Sequence, residues 1–512
     1  MSAKVNSIGL KGLEGYLVQV EVEVMEGVES VIIVGLPDAS VKESRERVSA
    51  AMHRMGHSLV DKKVVVNLSP AEQRKNGPLF DLAVALGVLK SGKFINETIP
   101  SDAAFIGALS LDGSIQPVHG MLPAILAAKR LGMKKLYLPF DEQLPNIVID
   151  RLELVYVTCL DDVLEHLAGK PVLPFTNHLS AAEIKEVQYD RDFRQIIGHE
   201  FAKRALEIAA AGRHHVMMDG PPGCGKSMLS ETFPTILPPL SQEAQLEKVS
   251  LYQLADAPLE SLTSPPYRHP HHSASAVSII GGGSNPKPGE VSLAHRGTLF
   301  LDELAEFSKK TLDMLRQPLE NGKVTISRAH STVSYPTKFI FIAAMNPCPC
   351  GYRASSTHYC SCSEKQVIAY QNRVSGPIRD RIDILLSLKP VSLQETSIET
   401  METSAVIRDR VIAARKQQYE RYDSELTNSE VLFDQIVSKG KLAMSQQKMI
   451  QNVCAKQGLS NRAHIKIIRL ARTISDLDGY VAISNRAIVE AFQLRKVEIN
   501  ASLIPEFRLD GD

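Results

Sequence analysis

The chain has 512 residues, 44% of them hydrophobic, with 58 basic and 58 acidic side chains and no tryptophan. That is length for about two to four domains with cores of their own. The zero net charge excludes recognition of a polyanion by bulk electrostatics, and 5% aromatics argue against base stacking as the main mode. No run approaches the roughly eighteen apolar residues a membrane helix needs, and the start, Met1 to Ser7, lacks the apolar core of a signal peptide. A cytoplasmic protein with no membrane role is the expectation, and the seven cysteines fit a reducing compartment better than a disulfide framework.

Residues 1–168 alternate strand-like and helix-like segments. Val18–Val24 (VQVEVEV) alternates apolar and polar as a half-buried strand does. Val31–Val34, Val64–Val66, Ala104–Leu109, Leu136–Leu138 and Leu154–Val157 read as further strands, Ser40–His57 and Asp81–Leu89 as helices. Gly169–Thr176, with two prolines and no period, opens a linker placed at 169–189. Strands and helices alternate again over 190–390. From 391 to 512 the pattern is helical, with helices expected at Ala405–Arg421, Ser445–Gln457, Asn461–Leu477 and Asn485–Asn500, the third capped by Ser460. The fold class expected is α/β with a helical C-terminal region.

Gly220-Pro221-Pro222-Gly223-Cys224-Gly225-Lys226-Ser227 fits the phosphate-loop pattern G-x-x-x-x-G-K-[ST], between an apolar strand at His215–Met218 and a helix opening at Met228. Glycines let backbone N–H groups turn inward around a phosphate, and the helix N-terminus adds partial positive charge. Lys226 would reach the β- and γ-phosphates of ATP, and Ser227 would hold Mg²⁺. Leu299-Phe300-Leu301-Asp302-Glu303 reads as a central strand ending in two acids, Asp302 for Mg²⁺ and Glu303 to polarise the attacking water. Phe339–Met345 is another buried strand, ending in Asn346, whose amide could orient that water or simply initiate a turn before Pro347.

Together these residues resemble an AAA+ ATPase. The resemblance implies an adenine-side segment at Ile196-Ile197-Gly198-His199, sensor 1 at Asn346, an arginine finger at Arg381 rather than Arg379 or Arg373, and sensor 2 at Arg462. Pro270–Ser275, Ile280–Gly283 and Pro288–His295, with a hairpin over Val324–Tyr335, resemble the magnesium-chelatase-like branch, which carries an insertion in its second helix. In that branch such loops face a ring's central pore, so Lys287, Lys323 and Arg328 are the candidate DNA contacts, with His271 and His272 weaker ones.

Val66–Leu89 and Gly107–Pro139 resemble the Lon-protease-like domain, of the ribosomal S5 domain 2-like fold. Where Lon proteases carry Gly-Pro-Ser-Ala-Gly, this chain reads Gly77-Pro78-Leu79-Phe80-Asp81. Where their lysine follows a Gly-Gly pair, it reads His119-Gly120-Met121-Leu122-Pro123. Leu79 is no nucleophile, so a non-proteolytic domain is expected. An inactive Lon-like domain (1–168), a linker, an AAA+ core (190–390) and a helical lid (391–512) form the architecture of the ComM/YifB family, which this chain resembles over nearly its whole length. The resemblance implies a hexameric, ATP-hydrolysing helicase that migrates branched DNA during natural transformation. The rival readings are a chelatase subunit driving Mg²⁺ into a porphyrin and a regulatory or protein-remodelling ATPase.

Cys348-Pro349-Cys350 and Cys360-Ser361-Cys362 form C-x-C-x₉-C-x-C. Four thiolates from two turns can complete a tetrahedral Zn²⁺ shell, although most zinc sites space each pair by two residues. His358 is a possible substitute ligand. A structural zinc stapling an insertion just after Asn346 is the expectation.

Overall fold

The computed structural model describes residues 2–141, 144, 150–170, 189–283, 285–328, 331–353, 358–391 and 401–497. Most of the expected linker, the hairpin tip at Ala329-His330 and the chain beyond Val497 lie outside the described residues.

Two compact units result. The first takes Met1–Lys185 together with two excursions of the later chain, Leu246–Glu260 and Thr325–Tyr335. Its main sheet runs Ala3–Lys11, Glu14–Glu26, Lys62–Ser69, Ser30–Val34 in spatial order, antiparallel except for the last pair. Alternation in the long second strand buries Val18, Val20 and Val22 on one face. Against that face lies the helix Asp81–Ser91, apolar nearly all round and buried accordingly. A second sheet is parallel, ordered Ala103–Phe105, Lys135–Leu138, Glu153–Tyr156. The strand expected over Ala104–Leu109 is two strands instead: the backbone turns at Gly107 (φ +150°), and Ala108–Leu109 pairs with Ile115–Gln116. Both excursions pack within this unit. The Leu122 amide donates to Gln253 Oε1 at 3.2 Å, and Val333 and Tyr335 of the hairpin border Gly12.

The second unit holds a five-stranded, all-parallel sheet, ordered Tyr267–Arg268, Thr298–Leu301, Ile340–Met345, Val216–Asp219, Ile384–Ser387. Its first strand in the chain, Val216–Asp219, sits between the last two, and the next one lies at the far edge. That reversal places a crevice at the carboxyl ends of the central strands. Strands buried on both faces carry unbroken apolar runs, hence TLFL and IFIAAM.

One apolar core runs from this sheet through the helix Glu200–Gly212 into the C-terminal helices. Those helices are Ser404–Tyr422, Phe433–Lys439, Met444–Lys456, Asn461–Leu477 and Asn485–Leu494. Ser460 caps the fourth as expected, accepting from the Ala463 amide at 3.3 Å. Phe433–Lys439 was not expected; its seven residues are too few to establish a helical period. No helix among the described residues is long and apolar enough to cross a membrane. The α/β class with a helical C-terminal region is the one expected.

Candidate nucleotide site

Three neighbouring strands deliver the expected residues to one sheet edge. Val216–Asp219 runs into the phosphate loop, which the Gly220 amide ties to the next strand by donating to the Met345 carbonyl at 3.3 Å. Gly225 has φ +85°, a left-handed conformation that glycine adopts without strain. The helix Lys226–Thr232 begins there.

The Lys226 ammonium is buried and donates to the carbonyls of Gly220 at 2.6 Å and Pro221 at 3.0 Å, and to Asn346 Oδ1 at 3.2 Å. One lysine thereby links the loop to the tip of the Ile340–Met345 strand. Ser227 Oγ donates to Asp302 Oδ2 at 3.2 Å, and the other Asp302 oxygen accepts from the Glu303 amide at 2.8 Å. A hydroxyl and a carboxylate side by side at a glycine-rich loop are the hard oxygen donors that Mg²⁺ selects. The donor set therefore fits a magnesium–nucleotide complex, with Ser227 and Asp302 toward the ion and Lys226 toward the phosphates.

Three neighbours of the loop and of Glu303 stand in relations that the sequence did not indicate. His199, at the start of Glu200–Gly212, has Nε2 3.5 Å from where a Cβ on Gly225 would lie. Burial and the nearby Lys203 lower its pKa. This puts His199, the last residue of the expected adenine-side segment, beside the loop. Asp219, just before the loop, has its pKa raised by burial, and its Oδ1 has no hydrogen-bond partner. His272, read as a weaker DNA candidate, places Nδ1 3.1 Å from Glu303 Oε2. Its ring centroid lies 4.1 Å from that of His271.

Arg381 and Arg462 are brought to each other rather than to Lys226. Both bond the carboxylate of Glu320, Arg462 Nη2 at 2.7 Å, and Arg462 Nη1 also reaches Asp380 Oδ2 at 3.3 Å. Glu320 carried no sequence signal. Nearby, Asp383 pairs with Lys466 Nζ at 3.0 Å and accepts from the His215 amide at 2.9 Å. The Asp383 carboxyl is held well below the usual range: burial alone would raise it, but Lys466 and His214 outweigh that.

The four cysteines converge. Their sulfurs lie within 4.8 Å of one another, with Cys348–Cys350 at 3.4 Å, Cys348–Cys360 at 3.7 Å and Cys350–Cys360 at 3.6 Å. A tetrahedral Zn²⁺ with bonds of about 2.3 Å separates its sulfurs by about 3.8 Å, so the set fits that ion. The Arg353 amide donates to Cys348 Sγ at 3.4 Å. The Tyr352 amide does the most to pull the Cys350 thiol down to about 6, while the Cys360 thiol is pushed up and the Cys362 thiol up to about 11, so without a cation the cluster favours one thiolate rather than four. His358 instead stacks on Tyr352 at 4.6 Å.

Of the candidate DNA contacts, Lys287 stands on a two-residue strand paired with Gly281–Gly282, and Lys323 and Arg328 bound the first strand of the hairpin; all three are exposed. In the first unit, Leu79 is buried in a turn leading to Asp81–Ser91, and Asp81 is paired with Arg47 at 2.6 Å.

Comparison with known proteins accords with this geometry. Models described as magnesium chelatase subunit ChlI match residues 192–396 and 20–142, and the C-terminal model of that subunit matches 401–495. Competence protein ComM of Haemophilus influenzae is 37% identical over 491 residues, covering 94% of this chain and 95% of that protein. The chain belongs to the magnesium-chelatase-like AAA+ family that includes ComM and YifB. YifB of Escherichia coli, itself uncharacterized, is 35% identical across 95% of this chain and 96% of its own. Lon protease 2 of Bacillus subtilis is 30% identical over 131 residues, a quarter of this chain, consistent with the Lon-like reading of the N-terminal region.

Proposed function

We propose that the chain is a cytoplasmic ATP-hydrolysing ring motor, a DNA helicase of branched substrates that promotes integration of incoming DNA in natural transformation. The observation that carries the ATPase reading is the convergence of Lys226, Ser227, Asp302, Glu303 and Asn346 at one sheet edge. Bound ATP–Mg²⁺ supplies the phosphoryl group and neutralises its charge. Lys226 and the loop amides orient the phosphates, Ser227 and Asp302 hold the ion's side of the site, Glu303 takes a proton from water, and Asn346 positions that water.

Arg381 and Arg462 share Glu320, so they act as a pair, and in this reading they serve the site of a neighbouring copy. That requires a homo-oligomer, in the family expectation a hexamer. Lys287, Lys323 and Arg328 contact the phosphates of single-stranded or branched DNA, and the cysteine cluster holds a structural Zn²⁺. Leu79 replaces a nucleophile with an isobutyl group, which makes the N-terminal domain a scaffold rather than a protease.

The DNA step rests on the resemblance read from the sequence and on similarity to a protein named for competence. The description of the matching models favours a second reading, a subunit of a magnesium chelatase. A labelled four-way junction separates the two. ATP-dependent resolution into duplexes by the wild type, absent in Lys226→Ala, is expected; ATP hydrolysis that leaves the junction intact would count against the DNA motor.

A further inference from the structure

The cysteine cluster lies against the phosphate loop. Gly351 follows Cys350 at φ +83°, and a Cβ there would stand 2.9 Å from Cγ and Cδ of Pro222 and 4.0 Å from Cγ of Asn346. Pro222 is part of the loop, and Asn346 is the acceptor for Lys226. The Cys348–Gly351 turn is closed by the Gly351 amide donating to the Cys348 carbonyl at 3.0 Å. The same stretch is tethered behind: Gln371 Nε2 donates to the Pro347 carbonyl at 3.2 Å. Cys348 itself is fully buried. The first cysteine pair thus begins two residues beyond Asn346, and its turn touches the loop that cradles phosphate.

We propose that the Cys348–Cys350–Cys360–Cys362 centre, loaded with Zn²⁺, buttresses the phosphate loop through the Gly351–Pro222 contact, so that nucleotide affinity depends on the ion. The inference rests on the zinc reading of the cysteines. Four sulfurs this close repel as thiolates unless a cation joins them, and binding the ion converts that repulsion into a fixed turn. A fixed turn holds Gly351 on Pro222 and Asn346 toward Lys226. With the ion removed, the turn and the loop lose a common support, and the cost falls on nucleotide binding before any chemistry.

The test uses the purified full-length chain. Zinc is measured by elemental analysis, then stripped with a zinc-selective chelator in excess Mg²⁺, and the Kd of a fluorescent ATP analogue is read before, after, and on returning Zn²⁺. One zinc per chain is expected, with stripping weakening nucleotide binding about tenfold and re-addition restoring it. Gly351→Ala, which spoils the contact itself, is expected to retain zinc and still bind nucleotide several-fold more weakly. Bound zinc whose removal leaves the Kd within twofold, with Gly351→Ala equally silent, overturns the buttress while leaving the zinc site standing. A chain that neither contains nor takes up zinc overturns the metal reading and the proposal with it.

Discussion

His272 Nδ1 lies 3.1 Å from Glu303 Oε2, joining the end of one edge strand to the acid that follows its neighbour. Half of the Glu303 side chain is open to solvent, so this contact is what restrains its rotamer. His272→Ala is expected to lower kcat for ATP hydrolysis about tenfold with the nucleotide Kd unchanged, as loss of a positioned base should. Steady-state kinetics alongside direct binding read the split.

Removing Glu303 itself goes further. Glu303→Gln keeps shape and charge-independent contacts but cannot accept the proton, so binding is retained and hydrolysis falls by roughly two to four powers of ten. Lys226→Ala loses nucleotide binding itself. Equilibrium binding and single-turnover hydrolysis on the two variants distinguish these outcomes.

Arg381 and Arg462 meet on one carboxylate, Glu320. Arg381→Ala is expected to reduce kcat by about three powers of ten with little change in Kd. If the arginine serves a neighbouring copy, mixing Arg381→Ala with Glu303→Gln subunits restores activity, because some interfaces then hold an intact pair. Mixtures as inactive as either parent would place the arginine's action within its own subunit.

The pairing of Lys466 with Asp383 ties the helix Asn461–Leu477 to the segment that enters the last strand. Asp383 is buried and the Lys466 side chain is only 11% exposed, so Lys466→Met strands a carboxylate and is expected to cost about 3–5 kcal/mol in unfolding free energy. Denaturant titration checks it, and the double change Lys466→Met with Asp383→Leu should recover much of the loss.

Beside it, His215 is partly buried and accepts from the Phe341 amide at 3.1 Å. Burial depresses its pKa to about 4 from 6.5. Between these values the unfolded chain binds more protons than the folded one, so stability rises with pH across that window and is lost as pH falls from 6.5 toward 4. The slope approaches at most about 1.4 kcal/mol per pH unit from this group. In His215→Phe the slope over that window should shrink, measured by urea denaturation at stepped pH.

What sequence made legible was local. The phosphate loop is eight contiguous residues, and Asp302-Glu303 and Asn346 each end an apolar run long enough to read as a buried strand. The four cysteines announced themselves by spacing. Contacts made by strand order did not: His272 and Glu303 meet because Tyr267–Arg268 pairs with Thr298–Leu301, and neither segment carries a mark of its neighbour. Glu320 reads as one more exposed acid on a short helix until both arginines are seen on it. Likewise nothing in Pro222 or Gly351 alone signals that the cysteine turn rests on the phosphate loop.

Whether the chain is a DNA motor is decided by its ATP hydrolysis without DNA, with single strands, with duplex and with a four-way junction, using Lys226→Ala as control. Strong stimulation by single strands or the junction is expected, with none in the variant. Robust hydrolysis indifferent to every DNA would contradict a DNA motor and turn the assignment toward a chelatase-like or protein-remodelling ATPase.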